Sequence, residues 1–429
     1  MRVLHIVHQY VPDHVAGTEL YTQSVARRQA QRGHEVAVFT PLNRVGRFSG
    51  EPDEEEGVRI YRVPVGSRSA TAVFRSTFGH DGLSAALAAV LQRETPDIVH
   101  LQHLMGIPAG AVARLGESDI PYIISLHDYW YGCANGQLLT NDTHMLCAGP
   151  DARFHNCGRC AVARAGWAGG AGLFGPLAAP LMRRRDEALR PIFTGARRIM
   201  APNEFVRQIH AAMGLPTDRV IINPLGLDRP PGLAAQVAAR RTAHVPGTLK
   251  LGYVGSISSQ KGLHVLIEAM NGLPEEGVTL DIYGDLAVFP AYVAELRALA
   301  RHSGIRFQGL LVREQLWAVL GALDAMLMPT LWYEASPATI REAFAAGLPV
   351  IASDLGAPGS MIRHGVDGLL FPVGDVAALR ATLARLAADP ALLDTLRTGI
   401  LPVRTEADHV DQIDDIYGQA LSTTIPSSD

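Results

Sequence analysis

Residues 332–350 read Trp332-Tyr333-Glu334-Ala335-Ser336-Pro337-Ala338-Thr339-Ile340-Arg341-Glu342-Ala343-Phe344-Ala345-Ala346-Gly347-Leu348-Pro349-Val350. Ser336 suits a helix N-cap. Pro337 suits the first helical position, where an N–H would have no intrahelical partner anyway. The spacing predicts a helix over residues 337–346, closed by Gly347, and a strand at 350–353. Glu334 then falls in the loop ahead of the helix, and Glu342 almost two turns inside it. Carboxylates accept hydrogen bonds from paired hydroxyls, so a sugar and a ribose are natural ligands for the two. Two solvated acids are the plainer reading of this spacing.

The strand–helix alternation continues on both sides of this stretch. Ahead of it, strands are expected at 249–254, 280–283 and 325–328, with a helix over 264–270. In the first half, apolar runs mark strands at 3–7, 36–39, 58–63, 97–100, 122–126, 198–201 and 220–223, and helical spacing marks 20–32 and 83–91. The acidic run Glu51–Glu56 reads as a solvated loop. Residues 229–247, which contain Pro230-Pro231-Gly232, read as a linker. The result is an α/β fold of two Rossmann-like domains, 1–228 and 248–405, facing across a cleft. Ligands are expected outside the carboxyl ends of the strands.

Composition narrows the function. The 429 residues carry 38 basic and 42 acidic side chains, a net charge of −4, so no nucleic-acid partner is indicated. No Gly-x-Gly-x-x-Gly follows an expected strand, which argues against a dinucleotide oxidoreductase. No Asp-x-Asp pair occurs, so a leaving diphosphate would be met by cations and backbone dipoles rather than through a divalent metal.

The Glu334-x7-Glu342 element, followed by Ala346-Gly347-Leu348-Pro349-Val350-Ile351-Ala352-Ser353, resembles the retaining glycosyltransferases of the GT-B fold, family four. The glycine loop at Gly17, the strand end His127-Asp128, Lys261-Gly262 and Gly365-Val366-Asp367-Gly368-Leu369-Leu370 follow in that family's order, so the resemblance covers nearly the whole chain. It implies a hexosyltransferase of glycan, polysaccharide or glycolipid synthesis that needs no cofactor for catalysis. The donor would be a UDP- or GDP-sugar and the acceptor a glycan or lipid-linked hydroxyl. Glu334 would bind hydroxyls of the transferred sugar, Glu342 the ribose and Lys261 the diphosphate, while His127 would reach the donor sugar. Gly17, Gly255, Ser256 and the backbone N–H groups of Leu355, Gly356 and Ala357 would lie at the donor. Residues 406–429 would form a helix packing back onto the first domain.

The chain departs from that pattern in three places. Val254-Gly255-Ser256 stands where the family commonly has Val-Gly-Arg, Gly359-Ser360 where a Glu is frequent, and Ala16-Gly17 where Gly-Gly is usual. One phosphate-binding cation is thereby missing, and donor identity stays open. Rival readings are a nucleotide-sugar epimerase or a phosphorylase on the same fold, and a non-catalytic nucleotide-sugar binding protein. His100 and His103 follow an earlier strand and carry no assignment.

Two further features stand apart. Cys133, Cys147, Cys157 and Cys160 fall within 28 residues. They admit three readings: ligands of a structural zinc ion, buried thiols, or disulfides. Residues 165–182 are uncharged and run into Arg183-Arg184-Arg185. Gly169, Gly170, Gly172, Gly175, Pro176 and Pro180 argue against a continuous or spanning helix there, leaving a loop or a membrane-surface segment. With no secretory signal visible, the expected place is the cytoplasm, with peripheral contact at the inner membrane face.

Overall fold

Each apolar run read above as a strand forms one in the computed structural model, which describes residues 1–117, 120–242 and 248–422. The chain divides into two units, Met1–Pro224 with Ala407–Asp429, and Leu225–Glu406. In the first, β1 (Arg2–Ile6), β2 (Glu35–Leu42), β3 (Asp53–Glu55), β4 (Val58–Pro64), β5 (Ile98–Leu101), β6 (Tyr122–Ser125), β7 (Arg198–Ala201) and β8 (Val220–Ile222) form one sheet in the order β3-β4-β2-β1-β5-β6-β7-β8. In the second, β9 (Leu249–Val254), β10 (Val278–Tyr283), β11 (Ile305–Gly309), β12 (Ala325–Met328), β13 (Val350–Ser353) and β14 (Gly368–Phe371) run β11-β10-β9-β12-β13-β14. All described pairings are parallel except β3 with β4. Strands buried on both faces read as continuous apolar runs, which is why they were visible in sequence.

Three expectations change. The acidic run is mostly exposed but not all loop, because Asp53–Glu55 within it is an edge strand. Arg62 of β4 pairs with Asp53 at 2.7 Å and with Glu55 at 2.9 Å. The expected linker contains the helix Leu233–Thr242, whose Leu233 is buried and whose Val237 packs on the second unit's core. Its alanines, the strongest helix formers, outweigh the neighbouring prolines. Residues 243–247 lie outside the described residues.

The uncharged stretch is also helical. Residues Ala171–Gly195 form one continuous helix that carries Pro176, Pro180 and Pro191 in its interior. All three prolines are exposed, so the backbone bonds they forgo lie on the solvent side, where water meets the carbonyls. Gly175 is a crossing point rather than a break. A Cβ on Gly158, in the helix His155–Arg164, would lie 2.1 Å from Gly175 O, and one on Gly175 would lie 2.9 Å from Arg159 N. The two backbones touch, and only glycine fits at the contact. Among the described residues no helix is long and apolar enough to cross a membrane.

The helix Glu406–Ser422 covers the first unit's sheet; residues 423–429 lie outside the described residues. Val410, Ile413, Ile416, Tyr417 and Ala420 recur at helical spacing and pack against Val3, Val25, Ile98, Ile123 and Met200. The Tyr417 hydroxyl lies 2.7 Å from His100 Nδ1, and His100 Nε2 lies 2.8 Å from Ser125 Oγ, so this buried imidazole has partners on both nitrogens. Ile413 is 0% exposed. Ile413→Ala is expected to destabilise the first unit by about 2–5 kcal/mol, read as a lowered denaturant midpoint. An unchanged midpoint would show that the helix rests on the sheet without being part of its core.

Candidate functional site

In the unit Leu225–Glu406 the candidate residues gather at the carboxyl ends of β9, β12 and β13. Gly255 continues β9 with its N–H on Tyr283 O at 3.1 Å, and the exposed Ser256 accepts the Tyr253 hydroxyl on its carbonyl at 2.7 Å. The chain then turns through Ser259–Lys261 into the helix Leu263–Met270. At this junction Gly262 has a φ of 71°, and a Cβ there would lie 1.8 Å from Pro329 O. Only glycine lets the Lys261 turn press against the segment after β12. Leu331 N–H fastens the two by donating to Gln260 O at 2.9 Å.

That contact brings together two residues 73 positions apart, with Lys261 Nζ 2.5 Å from Glu334 Oε1. Trp332 Nε1–H donates to the same oxygen at 2.8 Å, and its ring faces the ammonium at 5.4 Å. Glu334 is only 7% exposed, so charge-assisted bonds hold its carboxylate in place.

Glu342 lies inside the helix Ala338–Ala345, 5% exposed, and is paired with Arg313. Ser336 is not the cap of that helix. Pro337 occupies the N-cap position without a side-chain bond, and Ser336 Oγ instead accepts from Arg341 Nη1 at 2.8 Å. The amides expected to face an anion are partly engaged inside the protein. Leu355 N–H bonds Ser353 O at 2.8 Å and Ala357 N–H bonds Glu334 O at 3.1 Å, which packs the start of the Gly356–Met361 helix onto the Glu334 backbone.

In the first unit, His127 and Asp128 follow β6. His127 is half-buried, and its Nε2 lies 2.8 Å from Gln102 Oε1. The contacts continue from Gln102 Nε2 to His5 Nδ1 (3.1 Å), from His5 Nε2 to Gln29 Oε1 (2.9 Å) and from Gln29 Nε2 to Asp414 Oδ1 (3.3 Å). An amide oxygen only accepts and an amide nitrogen only donates, so both histidines carry their proton on Nε2. Burial pushes His5 down to about 4, and burial together with His103 pushes His127 down to about 3. His127 is therefore neutral at working pH, with its Nδ1 lone pair left for a hydroxyl. Gly17 is exposed at the start of the helix Gly17–Gln31, and a Cβ there would touch nothing within 4 Å, so the fold itself does not demand glycine at this position.

Several neighbours carry no role in the sequence reading. His103 Nδ1 accepts Met105 N–H, so its Nε2–H donates to both Asp128 oxygens at 3.2 Å. Burial pushes the Asp128 acid up, but the pull of His103 and the hydrogen bonds from His103 and Trp130 N–H outweigh it and hold the carboxyl below its usual range. Behind this pair, His8 Nε2 lies 3.7 Å from Glu19 Oε1, both buried. His8 Nδ1 and Glu19 Oε2 have no partner among the described residues. His8 stands just past β1, so its position at a strand end was a readable signal. Arg313 had none, because the short β11 before it was not recognised.

The four cysteines line one cavity of about 610 Å³, together with Arg68, Trp130 and Arg185. Arg185 is buried and reaches the carbonyls of Trp130 and Tyr131, with its guanidinium 4.5 Å from the Trp130 ring. All four cysteines are free. Among the described residues no group of three or more His, Cys, Asp or Glu side chains is placed to hold one metal ion. The sulfurs have other partners instead: Cys133 Sγ donates to Asn135 Oδ1 at 2.8 Å, and Cys160 Sγ accepts Asn141 N–H at 3.3 Å. Burial pushes the Cys157 thiol up to about 12 and Cys160 to about 11, which keeps both protonated.

The chain is similar to known proteins. Residues 16–226 match the family model described as glycosyl transferase 4-like domain, and residues 248–389 match that of glycosyl transferases group 1. The chain is 30% identical over 209 residues to the amylovoran biosynthesis glycosyltransferase AmsK of Erwinia amylovora, covering 44% of this chain and 49% of that one. It is 26% identical over 407 residues to the D-inositol 3-phosphate glycosyltransferase of Xylanimonas cellulosilytica, covering 89% and 86%. An Anabaena protein, Alr3699/HepE, solved in complex with UDP and glucose, is similar with a TM-score of 0.64 and 17% identity over 97% of this chain and 99% of that one. At that identity the likeness speaks for the fold, two parallel-sheet α/β domains of the GT-B type.

The buried histidines set a pH dependence. The unfolded chain binds their protons near 6.5, whereas folded His5 and His127 do so only near 4 and 3. Their contribution to stability is therefore full above about pH 6.5 and declines as pH falls toward 4. Each ring accounts for about 1.4 kcal/mol per pH unit in that window. Denaturant melts should show the unfolding free energy dropping by about 2.7 kcal/mol per unit from these two alone. A stability that holds constant from about pH 6.5 to about pH 5 would contradict neutral rings.

Proposed function

This chain belongs to the group 1 glycosyl transferases, and from that footing we propose that it moves a hexose from a UDP- or GDP-sugar to an acceptor hydroxyl with retention at the anomeric carbon. The acceptor is a glycan or a lipid-linked glycan, the setting is polysaccharide or glycolipid synthesis, and the place is the cytoplasm at the inner membrane face. The supporting observation is the Lys261–Glu334 pair, locked by Trp332 at the strand ends of the second unit.

The chemistry follows from those side chains. Lys261 places a cation for the diphosphate and stabilises the charge that grows on it as the glycosidic bond breaks. Glu334 accepts hydrogen bonds from sugar hydroxyls, with its orientation already set by Trp332. Glu342, positioned by Arg313, accepts from the ribose. The neutral His127 offers Nδ1 to a hydroxyl of the sugar. In a retaining transfer the leaving phosphate oxygen takes the proton of the acceptor hydroxyl as the bond breaks, so the protein orients the partners and excludes water. Catalysis in this reading needs no divalent metal. The Anabaena protein of the same fold was solved with UDP and glucose, which is in keeping with a nucleotide-sugar donor.

Two variants test this. Hydrogen bonds to a charged group contribute about 1.5–3 kcal/mol each, so Glu334→Gln should lower transfer more than about tenfold while binding of free UDP or GDP barely changes. Lys261→Ala should lower both. If Glu334→Gln weakens nucleoside diphosphate binding as much as it slows transfer, Glu334 holds the loop and not the sugar. A strict need for magnesium or manganese would refute metal-free catalysis, and an inverted anomeric product would refute retention.

A further inference from the structure

The Ala171–Gly195 helix has two opposite faces. Ala171, Gly175, Ala179 and Met182 are buried. Leu173, Leu177 and Leu181 point the other way and are 75%, 78% and 45% exposed. Successive leucines four residues apart turn by only about 40° around the axis, so the three form one stripe. Trp167, 64% exposed, and the adjoining Phe174, with ring centroids 5.9 Å apart, extend it at the helix start. Single exposed leucines are ordinary, but an aligned set in a continuous patch marks an interaction surface.

The charge along this stretch is mainly basic, with the exposed Glu187 one turn beyond Arg183. Residues 152–185 contain six arginines and neither aspartate nor glutamate, in a chain whose net charge is −4. Arg159 is paired with Asp142 and Arg185 is buried. Arg153, Arg164, Arg183 and Arg184 are exposed, and none of them has a carboxylate partner among the described residues. Arg184 lies eleven residues after Leu173, which returns it to within about 20° of the stripe.

We infer that this face lies flat on an anionic lipid bilayer, with Trp167, Leu173, Leu177 and Leu181 at the headgroup–acyl boundary and Arg164, Arg183 and Arg184 among the phosphates. An apolar stripe ringed by arginines suits an interfacial helix, and the charge complementarity selects an anionic surface. Arg164 and Leu181 also wall the thiol-lined cavity, so docking places that wall at headgroup level. The inference deepens the peripheral placement proposed above and does not depend on the transfer chemistry.

Co-sedimentation of the full chain with vesicles tests it. The protein should bind vesicles of phosphatidylcholine mixed with phosphatidylglycerol, bind pure phosphatidylcholine weakly, and release as salt is raised. Leu173→Ser with Leu177→Ser should lower binding at least about tenfold. Arg183→Gln and Arg184→Gln should each lower it about fivefold. All these residues are exposed and none is among the candidate donor residues, so UDP binding and the thermal midpoint should stay at wild-type values, and these serve as the control for folding. Failure of the wild type to bind either vesicle, or leucine variants that bind as well as wild type, would overturn the inference. A concentration-dependent dimer abolished by the leucine variants, with no vesicle binding, would give the face to a second copy of the chain. Loss of transfer with vesicle binding intact would strike the proposed function and leave this surface standing.

Discussion

Parallel strand pairing makes every loop that follows a strand leave from the same edge of its sheet. Apart from the antiparallel edge strand β3, both units obey this constraint, and the candidate chemistry follows from it. His8, Gln102, His103, His127 and Asp128 come from three strands of the first sheet but stand just past their carboxyl ends. Gly255, Lys261, Glu334 and Leu355 stand in the same relation to the second. No single segment carries the chemistry; the register of the sheets collects it.

Within that edge, backbone approach does the fine positioning. Lys261 meets Glu334 because Gly262 admits Pro329 O into the space a side chain would fill. His127 is fixed over a longer path. Its tautomer follows from Gln102, His5 and Gln29, and that chain ends on Asp414 of the returning helix. The helix that closes the first unit's core thus also decides which nitrogen of His127 is free. Stability and site electrostatics share the same buried polar groups, since the burial that keeps these rings neutral also makes the fold sensitive to acid.

The sequence made the strands legible because their signal is local and apolar, as in Leu249–Val254 and Ala325–Met328. It also made Lys261 and Glu334 legible as candidates, through motif and resemblance, but not as partners, since their contact spans 73 positions. Asp53–Glu55 was misread because its strand character comes from Arg62 across the sheet edge rather than from its own residues. The Ala171–Gly195 helix was misread because glycine and proline were weighed as breakers one by one. What decides there is which side of the helix each residue takes: glycine at a crossing, prolines toward water. Arg313 pairs with Glu342 across 29 positions and carries no local signature at all.

The first unit is made from two stretches of chain separated by all of Leu225–Glu406. A ribosome therefore releases Val3, Val25, Ile98, Ile123 and Met200 long before the strip Val410–Ala420 that covers them exists. At ordinary translation rates the intervening segment takes roughly ten to forty seconds to emerge. During that interval the nascent sheet shows bare apolar surface while the second unit is free to fold beside it. Chaperone demand at synthesis, and the sensitivity of yield to translation speed, should be concentrated in that gap.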